Sequence, residues 1–309
     1  MRPPRSGRMS IRHTFEANLI ALTMLAIVAG AACGTGAGRN SISSPTPVAA
    51  VQPVASPSSR PAPSQVFVVV MENRSYEQAL AGGYTAQLAA KYGVASNYHG
   101  VSHPSLPNYL AMTSGSTWGV TDDGYHALPA AGLGQQLTQA GIPWRAYMEG
   151  MSRTCFTSPY PYALKHDPFP YYGGKCPAEV APFGSFAADM AGANAPRFVW
   201  ISPGLCNDGH DCSTAVADRY LSQLVPAIMA TAAWQDNGVL FITWDEGYDS
   251  ANHVLMLVIR PGGVHQESSA YHDHYSLLAT AEDRLGVPRL GQAAKASSLR
   301  ELLVSGSAS

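Results

Sequence analysis

Four short stretches of the chain are apolar almost without a break: residues 66–71 (VFVVVM), 197–201 (RFVWI), 239–244 (VLFITW) and 253–259 (HVLMLVI). Their richness in Val and Ile predicts buried strands. Apolar and polar positions do not alternate along them, as expected of parallel strands covered on both faces. Between them the period changes. From Ser213 to Trp234, residues Ala217, Leu221, Leu224, Val225 and Ile228 recur at spacings of three and four. This pattern predicts a helix capped by Ser213 and kinked or divided at Pro226. A second amphipathic stretch, SLLATAEDRLG, begins at Ser276, and a further helix is expected just after Ser105. Strands alternating with helices predict an α/β fold with a mostly parallel central sheet and helices on both faces. In such sheets ligands bind beyond the carboxyl ends of the strands, which is where the polar clusters of this chain fall.

The first 64 residues carry neither period. Arg2, Arg5, Arg8 and Arg12 precede an uncharged run from Leu19 to Ala32 that ends in small residues before Cys33, the pattern of an export signal. The run is shorter than the roughly 20 apolar residues that cross a bilayer. Cys33 follows two alanines and precedes Gly34, which resembles a lipoprotein processing site, although Gly30 stands where such sites usually carry a large aliphatic residue. Residues 1–33 are therefore expected to be a signal peptide, with Cys33 as the candidate lipidation site. Residues 34–64 are Pro, Ser, Ala and Gly with no acidic residue, so they cannot bury a core and are expected to form a disordered tether. Residues 65–309 are expected to form one catalytic domain, without internal repeats. The protein is thus expected to be secreted or attached to the cell envelope, and monomeric.

Composition narrows the picture. Of 309 residues, 46% are hydrophobic, and the net charge is −2. The chain is globular in composition and lacks the charge bias of a nucleic-acid or polybasic membrane partner, so membrane contact is expected only through a lipid anchor. Apart from Cys33 there are four cysteines, an even number in a chain read as exported, which favours disulfides. Of three connectivities, the nearest-neighbour one pairs Cys155 with Cys176 and Cys206 with Cys212. A zinc site is the rival, but no C-x-x-C spacing supports it.

Five polar clusters carry candidate chemistry. Glu72-Asn73-Arg74-Ser75 delivers a carboxylate and an amide at a strand end, oxygen ligands suited to a hard cation; a capped loop is the plain alternative. In SHPSLPNY, residues 102–109, prolines flank Ser105 just before the expected helix, whose N-terminus favours an anion. The same residues also suit a Pro-rich turn with a capping serine. Asn207-Asp208-Gly209-His210-Asp211, held between Cys206 and Cys212, is either a stapled surface loop or a set of groups aimed at a ligand. Asp245 and Glu246, adjacent carboxylates after a buried strand, are costly unless a cation or hydrogen bonds hold them. His272 and His274 sit at the mouth of a helix, where a histidine binds metal, contacts phosphate, donates a proton or is simply a surface residue.

Taken in order, VFVVVMENRSYEQ, HPSLPNYLAMTSG, CNDGHDCS, LFITWDEG and YHDHYSLLATAEDRLGVPRLG resemble the bacterial phosphoesterase family of secreted acid phosphatases and phospholipases C. The resemblance covers roughly residues 65–292 and is nearest to the short acid phosphatases. It implies an alkaline-phosphatase-like fold and a metal-dependent phosphatase acting on phosphate monoesters. S-L-P-N resembles the T-F-P-N of nucleotide pyrophosphatases, which implies Ser105 as nucleophile. The family pattern implies Glu72, Asn73, Asp245 and Glu246 as metal ligands, with Glu246 standing where some relatives have Asp. Lys165-His166-Asp167-Pro168 resembles a K-H-x-P block expected near the phosphate. Asp208, His210 and His274 fall where the superfamily places either a second metal site or phosphate-binding histidines.

The expected mechanism is attack by Ser105 on phosphorus followed by hydrolysis of phosphoserine, with a divalent metal as Lewis acid. Its oxygen ligands suit Mg, Ca or Mn, and nearby histidines admit Zn or Fe. His210, His274, Lys165 and Asn108 are expected at the equatorial oxygens, with His274 or His210 protonating the leaving alkoxide. The rivals are a phosphodiesterase or phospholipase C on the same site and a non-catalytic envelope phosphate-binding protein. A sulfatase is disfavoured because HPSLPNY lacks the C/S-x-P-S/A-R sequence that those enzymes modify.

Overall fold

A computed structural model describes residues 64–304 except 153 and 193. The expected signal peptide, Cys33 and the tether up to residue 63 lie outside the described residues. Nine strands form one sheet: β1 (Gln65–Met71), β2 (Gly93–His99), β3 (Trp144–Met148), β4 (Val180–Pro182), β5 (Phe198–Ser202), β6 (Gly238–Trp244), β7 (His253–Ile259), β8 (Gln266–Ser268) and β9 (His272–Asp273). The four apolar runs coincide with β1, β5, β6 and β7 to within one residue at each end. The order is β4-β3-β5-β1-β6-β7-β2-β8, with β9 paired to β2.

Neighbours are parallel except where β7 is involved, since it runs antiparallel to both β6 and β2. This corrects the expectation of a parallel strand at 253–259. Only residues 245–252 separate β6 from β7, too few for the crossover that a parallel pair requires. An unbroken apolar run reports burial on both faces, not strand direction. From Val66 to Met71 every side chain of β1 is buried, and successive residues of a strand point to opposite faces, so both faces of the sheet centre are covered.

The helices are α1 (Tyr76–Leu80), α2 (Gly83–Lys91), α3 (Ser105–Ser114), α4 (Leu133–Gln139), α5 (Phe186–Ala191), α6 (Thr214–Met229), α7 (Ala232–Gln235) and α8 (His274–Leu285). Helix α8 packs on α3 and β1, and α2 packs on α6. Ser213 is the N-cap residue of α6 but its side chain makes no capping bond. Pro226 lies in the last turn of α6, which ends at Met229, so the long apolar pattern is divided into α6 and α7. Both disulfides join the expected partners, Cys155 to Cys176 and Cys206 to Cys212. Among the described residues no helix is long and apolar enough to cross a membrane.

Candidate active site

Strands β1 and β6 are adjacent and in register, Met71 beside Trp244, so the residues that follow them emerge side by side. These are Glu72 and Asp245, both fully buried. The Asp245 N–H donates to the Met71 carbonyl at 2.9 Å, and the Glu72 N–H donates to the Asp208 carbonyl at 2.9 Å. Backbone bonds thereby gather three carboxylates from three distant segments. Asn73 adopts φ 53°, a left-handed conformation that Asn tolerates better than most residues. Its N–H donates to Asp245 Oδ1 and its Nδ2 to Glu72 Oε2, each at 3.1 Å.

Ser105 opens α3, and its hydroxyl donates to Glu72 Oε2 at 3.1 Å. One turn on, the Tyr109 hydroxyl donates to Glu72 Oε1 at 2.6 Å, as the i, i+4 relation within a helix allows. His166 stacks on Tyr109, ring centroids 5.2 Å apart. Its Nε2 lies 3.2 Å from Glu72 Oε1 and its Nδ1 lies 3.2 Å from Asp208 Oδ2. Neither nitrogen is aligned for a hydrogen bond, and Asp208 Oδ2 and Asp245 Oδ2 also have no hydrogen-bond partner. Donor atoms of Glu72, His166 and His210 lie within 4.8 Å of one another.

The electrostatics match this crowding. Burial, reinforced by the charges of Asp245 and Asp208, holds the Glu72 carboxyl well above its usual range. Burial likewise raises Asp208 to about 7, and burial with the neighbouring Glu246 charge raises Asp245 to about 8. Burial pushes His166 well below an ordinary histidine. The close donor atoms of Glu72, His166 and His210, with unpartnered carboxylate oxygens on Asp208 and Asp245, are a donor set that fits a divalent cation.

The cluster differs from the expected set. His166, expected near phosphate, belongs to it. The Glu246 carboxylate, expected as a ligand, holds His103 Nδ1 at 2.5 Å through Oε2, beside a cavity of about 400 Å³ lined by Asn73, His103, Glu246 and Tyr248. Larger cavities, of about 730 and 590 Å³, line Ile142 and Arg145 or Phe186 and Met190 and touch none of these residues.

Four further expected residues have side-chain partners in the folded chain. Asn108 Oδ1 accepts the N–H groups of Val101 and Ser102, and its Nδ2 donates to the carbonyls of Ser102 and Pro104. These bonds saturate its amide and fix the loop leading to Ser105. His274 is enclosed: its Nε2 donates to the Asp245 carbonyl at 2.5 Å and its Nδ1 accepts from the Tyr98 hydroxyl at 3.0 Å. Burial lowers its pKa to about 4, so the ring is neutral. Lys165 Nζ reaches Asp123 Oδ2 at 2.9 Å and His210 Nε2 at 3.1 Å, while His210 Nδ1 lies 2.7 Å from Asp211.

Sequence reasoning passed over Tyr109, His103, Asp123, Tyr98 and Arg74. Tyr109 stands four residues after Ser105 on an expected helix, so spacing alone could have paired them. Arg74 clamps the site from outside, donating to the Asn73 and Cys212 carbonyls at 2.6 and 2.8 Å and to Thr214 Oγ1 at 2.9 Å. The other contacts are tertiary and leave no local signal.

Comparison with known proteins places these residues in context. The Phosphoesterase family model matches residues 82–288. The phosphatidylinositol-3-phosphatase of Mycobacterium tuberculosis is 31% identical over 258 residues, 79% of this chain and 84% of that protein. The acid phosphatase of Aspergillus fumigatus is 26% identical over 251 residues, 74% of this chain. The chain spans 56% to 59% of the length of the fungal relatives it matches. A Vibrio parahaemolyticus protein of the alkaline phosphatase superfamily superposes with TM-score 0.55 at 10% identity, covering 74% of this chain and 68% of that one. That likeness bears on the fold.

Proposed function

Because this chain belongs to the Phosphoesterase family, we propose that it hydrolyses phosphoric esters, specifically monoesters, through a phosphoserine on Ser105 and with a divalent metal. The observation that carries the reading is the Ser105 hydroxyl, 3.1 Å from Glu72, at the edge of a buried cluster in which Asp208 Oδ2, Asp245 Oδ2 and both His166 nitrogens lack hydrogen-bond partners. A cation held by Glu72, Asp208, Asp245 and His166 would supply Lewis acidity and favour the alkoxide of Ser105. The chain's own residues do the rest. Ser105 Oγ bonds to phosphorus as the bond to the leaving oxygen breaks, and its proton is already directed at Glu72 Oε2. Water then cleaves the phosphoserine. Lys165 and His210 lie together on the side of the α3 N-terminus and would neutralise phosphoryl oxygens. Both expected proton donors have their nitrogens engaged, but His274 is fully buried whereas His210 is partly exposed, which favours His210 for the leaving group.

A monoester carries one more negative charge than a diester, and Lys165 beside His210 favours that extra charge. Relatives named as phosphatases support the same choice. The arginine-rich start and apolar run of residues 1–33 support export, with Cys33 as the lipidation site if the product is a lipoprotein.

The test is hydrolysis of an aryl phosphate and its diester by the purified protein and by Ser105→Ala, with divalent metals added. Loss of more than about 10³-fold in the variant is expected, as for other removed nucleophiles. Hydrolysis by Ser105→Ala at the parent rate would remove the nucleophile assignment, and preference for the diester would move the substrate class.

A further inference from the structure

We infer that Asp123 is a positioning residue that fastens Lys165 to the N-terminus of the nucleophile helix; the inference rests on the phosphatase reading above. Helix α3 begins at Ser105 behind Pro104, whose side chain cannot cap it. The first N–H groups of a helix need outside partners. Pro107 has none to offer, and the Leu106 N–H is received at 3.0 Å by Asp123 Oδ1, from a loop 17 residues further along the chain. The other oxygen of the same carboxylate receives Lys165 Nζ at 2.9 Å. A single side chain therefore ties the backbone next to Ser105 to the cation expected at the phosphoryl group.

Lysine has a flexible four-carbon stem, and holding it costs up to about 2 kcal/mol of rotamer entropy. Anchored on the cap of α3, the ammonium is tied through one carboxylate to the backbone next to Ser105. It also keeps its contact with His210, 3.1 Å away. The adjacent Asp122 does none of this, since it turns outward to the Gly124 N–H and His126. Asp123 occupies the Leu106 N–H, so on this reading Lys165 adds positive charge beside the α3 N-terminus.

The test is a double-mutant cycle of Asp123→Asn and Lys165→Met, read by kcat and KM on an aryl phosphate, by thermal midpoint, and by binding of inorganic phosphate. Asp123→Asn retains an oxygen for the Leu106 N–H but sets an amide against the ammonium. It should lower kcat about 10-fold and Lys165→Met about 100-fold, within the range of mispositioned catalytic groups. The double variant should be no worse than Lys165→Met. Lys165→Arg, which still reaches a carboxylate, should keep the dependence on Asp123. Additive losses, or an Asp123→Asn variant with unchanged kcat, would overturn the inference, as would a fall in thermal midpoint alone. If the parent protein turned over no phosphate ester, the phosphatase reading would fail, and phosphate binding by the same proteins would still report whether Asp123 and Lys165 are coupled.

Discussion

His166 and His274 are the same residue type, 2% and 0% exposed, and both touch the carboxylate-bearing segments at the ends of β1 and β6. Their surroundings are opposite. His274 is held by a carbonyl on one nitrogen and a hydroxyl on the other, which fixes a neutral tautomer and makes the ring a strut between Tyr98 and Asp245. His166 faces a carboxylate oxygen with each nitrogen yet bonds to neither. Burial alone therefore says nothing about role. A buried imidazole with both nitrogens satisfied holds a site together, whereas His166, with both nitrogens open and the unpartnered Asp208 Oδ2 beside it, keeps bonding capacity that the protein itself does not use.

The largest effects should come from the open side of this comparison. Glu72→Gln and His166→Ala should each lower turnover by more than about 10³-fold, because they remove groups that act as a unit with Ser105. They should also abolish the rise in thermal midpoint that a divalent ion gives the parent protein, a rise worth about 2.7 kcal/mol at a hundredfold excess over Kd. A chelator should lower the parent's midpoint and leave the variants' unchanged. On the closed side, His274→Phe strands the Asp245 carbonyl and the Tyr98 hydroxyl, at a cost of about 1–3 kcal/mol for each buried group. Its midpoint should fall while the metal-dependent rise persists. If His274→Phe lost that rise and His166→Ala kept it, the two roles would have to be exchanged.

The sheet centre was legible because Val66–Met71 and Val239–Trp244 are buried on both faces and so carry their burial as continuous apolarity. Direction was not legible, because the reversal of β7 depends on the length of the 245–252 connection. Strands β2 (GVASNYH) and β8 (QES) escaped notice because their mixed composition follows partial exposure at the sheet's far edge. At the site, Glu72, Ser105 and Asp245 drew attention as carboxylates or a hydroxyl at strand and helix ends, where ligands bind in such sheets, and Asp208 as part of the loop between Cys206 and Cys212. Which histidine closes the cluster could not be read, because Lys165 and His166 are neighbours in sequence while their side chains take different partners. Asp123 lies in a turn whose composition, TDDG, reads as solvent-facing, and only the folded chain brings it to Leu106.

Glu282 supplies the control with the smallest effect on turnover, namely none. It is a buried carboxyl on α8, far along the helix from His274, with Oε1 accepting the Leu290 N–H at 2.8 Å and Oε2 unpartnered. Burial raises its pKa to about 8. The folded protein therefore keeps a proton on Glu282 that the unfolded chain, near its ordinary value of 4.5, has released. Between pH 4.5 and 8 the folded state binds more protons, so this group makes stability fall as pH rises through that window and level off above it. Glu282→Gln retains an oxygen for Leu290 and cannot ionise, so its stability, followed by urea unfolding, should decline less across the same range. Its response to divalent metal should match the parent's, because one buried carboxyl without companions does not make a cation site. A metal-dependent midpoint lost in Glu282→Gln would mean that burial of acidic groups, and not their convergence on His166, governs metal stabilisation in this protein.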